Sequence, residues 1–349
     1  MADPGRRPGR LAGPRRPRPG QDPVVGAVQD PILRKDRVVS IISDWTDDKA
    51  KAFGRENLIF QHGLHQRPMF DDEGLARLLD QYPRDQLGVF TMGEDPKAWT
   101  TWRKGAAGNL TGDQLLEAAQ AGRIWLNLRK TNDFVPDYAA LCDEIFAEKE
   151  ARVPGLKTFK RDLGMLISSA NAQVFYHLDV PLVSLWQIRG QKKVWVYPVA
   201  DPYVGELALE RIVLKETAEQ FAFDPAWDAG ARAYDLTPGT MVTWQQNAPH
   251  RIENGPMLNV SISIEFMTPP ALMRANVIYA NGVLRRRLGA RPRVQNGFGP
   301  TALGKLAVAR GAKALNLQTP HVRHLPVTFG LDAQRPGVLI ERAGDGIRA

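Results

Sequence analysis

The chain has 349 residues, 43% hydrophobic and 24% charged, the composition of a globular protein able to bury a sizeable core. Its single cysteine, Cys142, excludes an intrachain disulfide and any thiolate metal cluster built from this chain alone, which fits a reducing, cytoplasmic setting. Much of the formal net charge of +8 comes from Arg6, Arg7, Arg10, Arg15, Arg16 and Arg18, in a Pro- and Gly-rich stretch that cannot bury enough apolar surface to offset its ordering entropy, so residues 1–35 are expected to be a disordered tail.

No apolar run approaches the ~18 residues of a membrane helix, and the arginines near the start are not followed by the apolar stretch of a secretory signal, so no membrane association is expected. Leu58-Ile59-Phe60 reads as a short strand. Asp71, Asp72 and Glu73 place negative charge at the start of a helix carrying Leu75, Leu78 and Leu79, which stops before Pro83. Thr111 with Gln114 is a capping-box pattern opening a second helix through Leu115, Leu116 and Ala119, with Gly122 as its stop. Ile124-Trp125-Leu126 follows as a strand. Pro136 then opens a helix whose buried stripe is Tyr138, Leu141, Cys142, Ile145 and Phe146, which makes Cys142 a core residue rather than a nucleophile.

From about 165 to 267 the pattern changes to short strands separated by Gly and Pro turns, the character of a β-barrel or jelly roll. Clear strands are Val194–Tyr197, Met241–Trp244 and Val260–Phe266. Beyond them, a helix from Pro270 to Tyr279, the Arg285-Arg286-Arg287 run and helical spacing from Leu303 to Ala314 suggest a helical extension packed on the barrel or on a second subunit.

The chemistry is carried by His177-Leu178-Asp179 and by His250 in Asn-Ala-Pro-His-Arg-Ile-Glu-Asn. Residues two apart in a strand face the same side, so His177 and Asp179 can chelate one ion, with His250 supplied by another strand or its preceding loop. Two imidazoles and a carboxylate on one face leave the opposite face open, the arrangement of non-haem Fe(II) oxygenases. In the last strand, Asn259, Ser261, Ser263 and Glu265 alternate with apolar residues, so a polar face would line the cavity. His62/His65 and His321/His324 each lack a nearby third ligand and are expected to be non-catalytic. Trp99 and Trp102 are candidates for a substrate wall. Neither the tail nor the Arg285–Arg287 run is interleaved with aromatics, which argues against nucleic acid.

The stretch Trp186-Gln187-Ile188-Arg189-Gly190-Gln191-Lys192-Lys193-Val194-Trp195-Val196-Tyr197-Pro198, following His-x-Asp, resembles the JmjC and cupin-like Fe(II)/2-oxoglutarate dioxygenases, among them the asparaginyl hydroxylase of hypoxia-inducible factor. The resemblance implies a mainly β fold with flanking helices: a double-stranded β-helix core (about 165–267) inside a catalytic domain of residues 36–267, an α-rich N-terminal part, and a C-terminal extension over 268–349 that caps the site or makes a homodimer. It implies Fe(II) held by His177, Asp179 and His250, with 2-oxoglutarate and O2 as co-substrates. Lys192 stands where the family's lysine binds the distal carboxylate, and Lys193, by alternation, faces solvent. Ser261 or Ser263 would have access to the co-substrate. Two positions depart from the pattern. Val174 replaces a hydroxyl residue, so the distal carboxylate needs another partner such as Tyr176, Ser169, Gln173 or Asn127; Glu265 replaces an amide and would repel the co-substrate unless paired or protonated. The implied reaction is hydroxylation of a protein or peptide side chain, or of a small molecule. The rivals are a metal-binding cupin-like module without turnover and an O2-independent isomerase or lyase.

Overall fold

The structure, a computed structural model, describes residues 40–293, 297–318 and 325–342. The Arg-rich tail and the His321/His324 pair lie outside the described residues. Helix α1 (Asp47–Ala52) begins at Thr46, whose side chain accepts from the Lys49 amide, and β1 (Leu58–Gln61) follows. Helix α2 (Asp72–Gln81) is capped by Asp71, which accepts from the Gly74 amide at 2.7 Å; one member of the acidic trio therefore stands outside the helix as its cap. After β2 (Gly88–Thr91) and β3 (Arg103–Ala106), α3 (Gly112–Ala121) carries the expected capping box, with Thr111 and Gln114 each bonding the other's backbone. Strand β4 (Trp125–Leu128) leads to the short α4 (Thr131–Phe134) and to α5 (Pro136–Arg152), whose buried stripe includes Cys142. Burial raises that thiol to about 11, so it is not a nucleophile.

Eight successive strands then form the core: β5 (Phe159–Ser168), β6 (Gln173–His177), β7 (Leu182–Arg189), β8 (Lys192–Val196), then, after helix α6 (Glu206–Val213), β9 (Arg232–Leu236), β10 (Thr240–Thr243), β11 (His250–Asn254) and β12 (Asn259–Met267). Strand β5 pairs with β12, β6 with β11, β7 with β10 and β8 with β9, all antiparallel. This nesting of first with last is one long hairpin wound over itself, and the cross-pairs β7–β12 and β8–β11 close it into two facing sheets. It is a jelly roll, the double-stranded β-helix expected from the sequence. The smaller sheet runs β6-β11-β8-β9. Val183, Leu185, Val194, Val196, Leu236, Val242 and Ile252 meet between the two sheets, while α2, α3 and α5 cover the outer face of the larger one with the main apolar cluster.

The turn joining β7 to β8 depends on Gly190, at φ 74°, where a Cβ would lie 2.3 Å from the Leu258 carbonyl oxygen.

The C-terminal part holds both helices that its sequence suggests and adds two short strands. Helix α7 (Pro269–Leu288) runs nine residues past the expected stop at Tyr279 and takes in the arginine run, favoured at a helix C-terminus. Arg285 and Arg286 pair with Glu206, Glu210 and Glu216, so the run binds α7 to α6 and its neighbouring loop rather than forming an open basic surface. After α8 (Pro300–Ala314), β13 (Val327–Leu331) pairs in parallel with β3, and β14 (Leu339–Glu341) pairs with β13. The larger sheet thus reads β1-β10-β7-β12-β5-β4-β2-β3-β13-β14, with strands from the C-terminal extension forming one edge. Among the described residues no helix is long and apolar enough to cross a membrane.

Candidate metal centre

His177 closes β6 and His250 opens β11, and the two are register partners. Their ring centroids are 4.1 Å apart, and one ligand atom from each of His177, Asp179 and His250 lies within 4.8 Å of the others. Each Nδ1 faces a carbonyl two residues back: His177 faces Phe175 at 2.7 Å and His250 faces Ala248 at 3.0 Å. A carbonyl can only accept, so each Nδ1 carries the proton and each Nε2 lone pair is left for a metal. Burial, then the neighbouring His177, lowers His250 to about 3, which keeps it neutral as a ligand must be. Its Nε2 lies 3.3 Å from Asp179 Oδ2. Trp244 packs against the His250 ring at a centroid distance of 4.4 Å and limits its rotation.

The three side chains open on a cavity of about 220 Å³ between the sheets. Phe90, Trp102 and Trp125 form one wall, with Trp102 and Trp125 centroids 4.9 Å apart. Trp99 is not in that wall and is exposed. Asn127 and Ser263 supply neutral polar groups, and Asn127 Oδ1 is buried without a hydrogen-bond partner among the described residues. An orphaned buried acceptor beside a ligand-sized space invites a donor from a bound molecule.

Glu265 lies in the cavity and meets the first of the two conditions set by the sequence, pairing with a cation. Arg129 holds it at 2.7 Å while also binding Asp162 at 2.9 Å, and its carboxyl is pushed up to about 8 by burial and then by Asp179. Glu219 stands at the cavity edge, its carboxyl also raised, by desolvation first and Asp179 second.

Two residues expected at the co-substrate pocket lie elsewhere. Ser261 shares the polar face of β12, but farther along the strand, where its hydroxyl donates to Gln187 at 2.7 Å in a closed network with Asn259. Tyr176 points through the smaller sheet to its outer face, where its hydroxyl donates to the Tyr203 carbonyl at 3.0 Å within an aromatic cluster. Ser169 and Gln173 are likewise engaged away from the cavity, with the carbonyls of Ala119 and Gly93, whereas Val174 lies in the wall.

Lys192 is buried on the inward face of β8, in line with Val194 and Val196, and Lys193 faces out toward Asp235. The register runs His250 to Val196, Ile252 to Val194 and Asn254 to Lys192, so Lys192 is four residues, roughly 13 Å of strand, from the metal rung. It is outside the cavity wall itself, beneath the Val194–Ile252 layer. It has no ion-pair or hydrogen-bond partner among the described residues, and burial lowers its ammonium to about 7.

Arg129, Glu219, Phe90 and Trp125 carried no signal as site residues in the sequence; they come from β2, from β4 and the residue after it, and from the α6–β9 loop. His62 and His65 serve the scaffold. His62 Nδ1 accepts from the Leu64 amide, so its Nε2 donates to Thr240, and burial lowers it to about 4.

No protein-family model matches the chain, and a search of curated proteins finds no match. Among solved structures, the chain is similar to YcfD of Escherichia coli, at 16% identity and a TM-score of 0.46 over 79% of this chain and 69% of that one. A second structure of that protein, described as a ribosomal oxygenase with cobalt and 2-oxoglutarate, gives 16% identity and a TM-score of 0.43 over 79% and 66%. The cupin domain of Drosophila melanogaster CENP-C gives 14% identity and a TM-score of 0.20 over 30% and 59%. At such identities no residue role transfers from these proteins.

Proposed function

We propose that the protein is an Fe(II)- and 2-oxoglutarate-dependent oxygenase that hydroxylates a protein or peptide side chain, or a small molecule, while 2-oxoglutarate is converted to succinate and CO2. The supporting observation is the convergence of two imidazoles and one carboxylate, both Nε2 lone pairs released by Nδ1–carbonyl bonds, at the edge of a cavity. His177, Asp179 and His250 would hold the iron, which supplies O2-dependent oxidation when bound. Lys192, buried and without an anion, supplies the charge for a distal carboxylate, with the Ser263 hydroxyl and the Asn127 Nδ2 group as neutral donors along the wall and Asn127 Oδ1 left for a donor on the substrate. Arg129 neutralises Glu265, so a dianion entering the cavity does not meet an isolated negative charge there. Phe90, Trp102 and Trp125 shape the remaining space for substrate and exclude water from it.

Glu219 and Glu265 favour one rival, a metal-binding module that has lost the co-substrate, because both carboxyls crowd Asp179. The test is anaerobic addition of Fe(II) and then 2-oxoglutarate, watching for the visible metal-to-ligand charge-transfer band, followed by assay of succinate in air. A band that requires Lys192, with slow succinate formation, is the expected result. Iron binding without a band would overturn the oxygenase reading in favour of the module.

A further inference from the structure

The loop between β10 and β11 does more than deliver His250. Asn247 is buried, adopts φ 67°, donates from Nδ2 to the Asp179 carbonyl at 3.0 Å, and accepts at Oδ1 from Arg274 Nε at 3.0 Å. The next residue, Ala248, provides the carbonyl that orients His250. On the other side, Gln246 donates from Nε2 to the Val180 carbonyl at 2.8 Å and to the Ala271 carbonyl at 3.1 Å. Asp179 and Val180 belong to the segment leaving β6, whereas Ala271 and Arg274 lie on α7. Two adjacent amide side chains therefore span from the carboxylate ligand's backbone to α7, within the loop that also fixes the second imidazole.

From this geometry we infer that Asn247 is a positioning residue for the metal centre, setting Asp179 relative to His250, and that α7 anchors it through Arg274. The inference rests on the metal-centre reading above. Asp179 lies beyond the last residue of β6, so the strand ladder does not hold its backbone carbonyl. Asn247 supplies that bond, and the left-handed backbone it adopts is one that asparagine tolerates better than most residues. Arg274 gives the amide its orientation, since a guanidinium can only donate and so commits Oδ1 to itself and Nδ2 to Asp179. The C-terminal helix then belongs to the metal site and is not only an attachment to it.

The test is a Co(II) titration of the full chain, read by visible absorption, alongside thermal unfolding of the apo-protein. Asn247→Gly keeps the left-handed backbone accessible and deletes only the amide. It should bind Co(II) on the order of 10–100-fold more weakly than wild type while its circular dichroism stays native. Arg274→Met removes the anchor at similar length and should weaken Co(II) several-fold, giving the same comparison if the Asn247 variant does not fold. Unchanged Co(II) affinity in a folded variant would overturn the positioning role. Failure of the wild type itself to bind Co(II) would instead sink the metal-centre reading on which it rests.

Discussion

Lys192→Met should make the apo-protein more stable and abolish co-substrate binding. The ammonium is buried with no partner among the described residues, and burial alone lowers it from 10.5 to about 7. At about 1.36 kcal/mol per unit, that shift sets a ceiling of ~5 kcal/mol on the cost of holding this lysine at neutral pH. Replacement of buried charge by an apolar side chain of similar length typically recovers ~1–4 kcal/mol of such a cost. The pH dependence has a definite sign. Between about pH 7 and 10.5 the unfolded chain holds the proton that the folded protein sheds, so the cost is fully present below 7 and disappears as pH rises toward 10.5. Thermal melts of both apo-proteins should therefore show the variant a few degrees higher at pH 7, with the gap narrowing by pH 9.5. Adding Co(II) and then 2-oxoglutarate should raise the wild-type midpoint by the mass-action term and leave the variant at its Co(II)-bound value. A variant less stable than wild type at pH 7 that still responds to 2-oxoglutarate would refute the reasoning.

Wild-type affinity for 2-oxoglutarate should fall by up to tenfold per pH unit above about 7, as the ammonium loses its proton, and a folded Lys192→Arg variant that still binds should show a flatter profile by calorimetric titration. Lys149→Met is the matched control: this buried lysine, also lowered to about 7, sits on α5 among aromatic rings with Ser184 as its hydrogen-bond partner at 2.9 Å. Its removal should raise stability by at most ~2 kcal/mol in denaturant melts and leave the 2-oxoglutarate response intact. Gly190→Ala should destabilise by ~3 kcal/mol or more, because its positive φ and the Leu258 carbonyl both reject a Cβ; a loss under ~1 kcal/mol in urea melts would show that the turn can relax. Thr111→Ala should cost ~1 kcal/mol in the same assay and leave Co(II) affinity unchanged.

The jelly roll was legible because its determinants are local. Alternation in Val260–Phe266 and the Gly190 turn each act within a few residues, and the parity of His177 and Asp179 follows from strand geometry alone. The polar face of β12 was legible too, but not which of its serines reaches the cavity, since that depends on where β7 places Gln187 to claim Ser261. Tyr176, by contrast, was legible: its neighbour His177 faces the metal, so strand alternation alone sends the phenol to the opposite side, where the structure has it. Arg129, Trp125 and Asn127 reach the site because β4 pairs with β5 across a gap of more than thirty residues. Strands β2, β3 and β13 each contain a glycine, which weakens the strand signal, and are defined by their partners.

The parallel pairing of β13 with β3 has a consequence for the order in which the protein can be made. A chain still being synthesised presents β3 as a bare edge until Val327–Leu331 has emerged, more than 200 residues later. Phe329, fully buried where Gly105 leaves room for its ring, seals that edge only once β13 has been made. The interval before closure is when this sheet is most exposed to pairing with a neighbour, and slow translation between β3 and β13 would lengthen it.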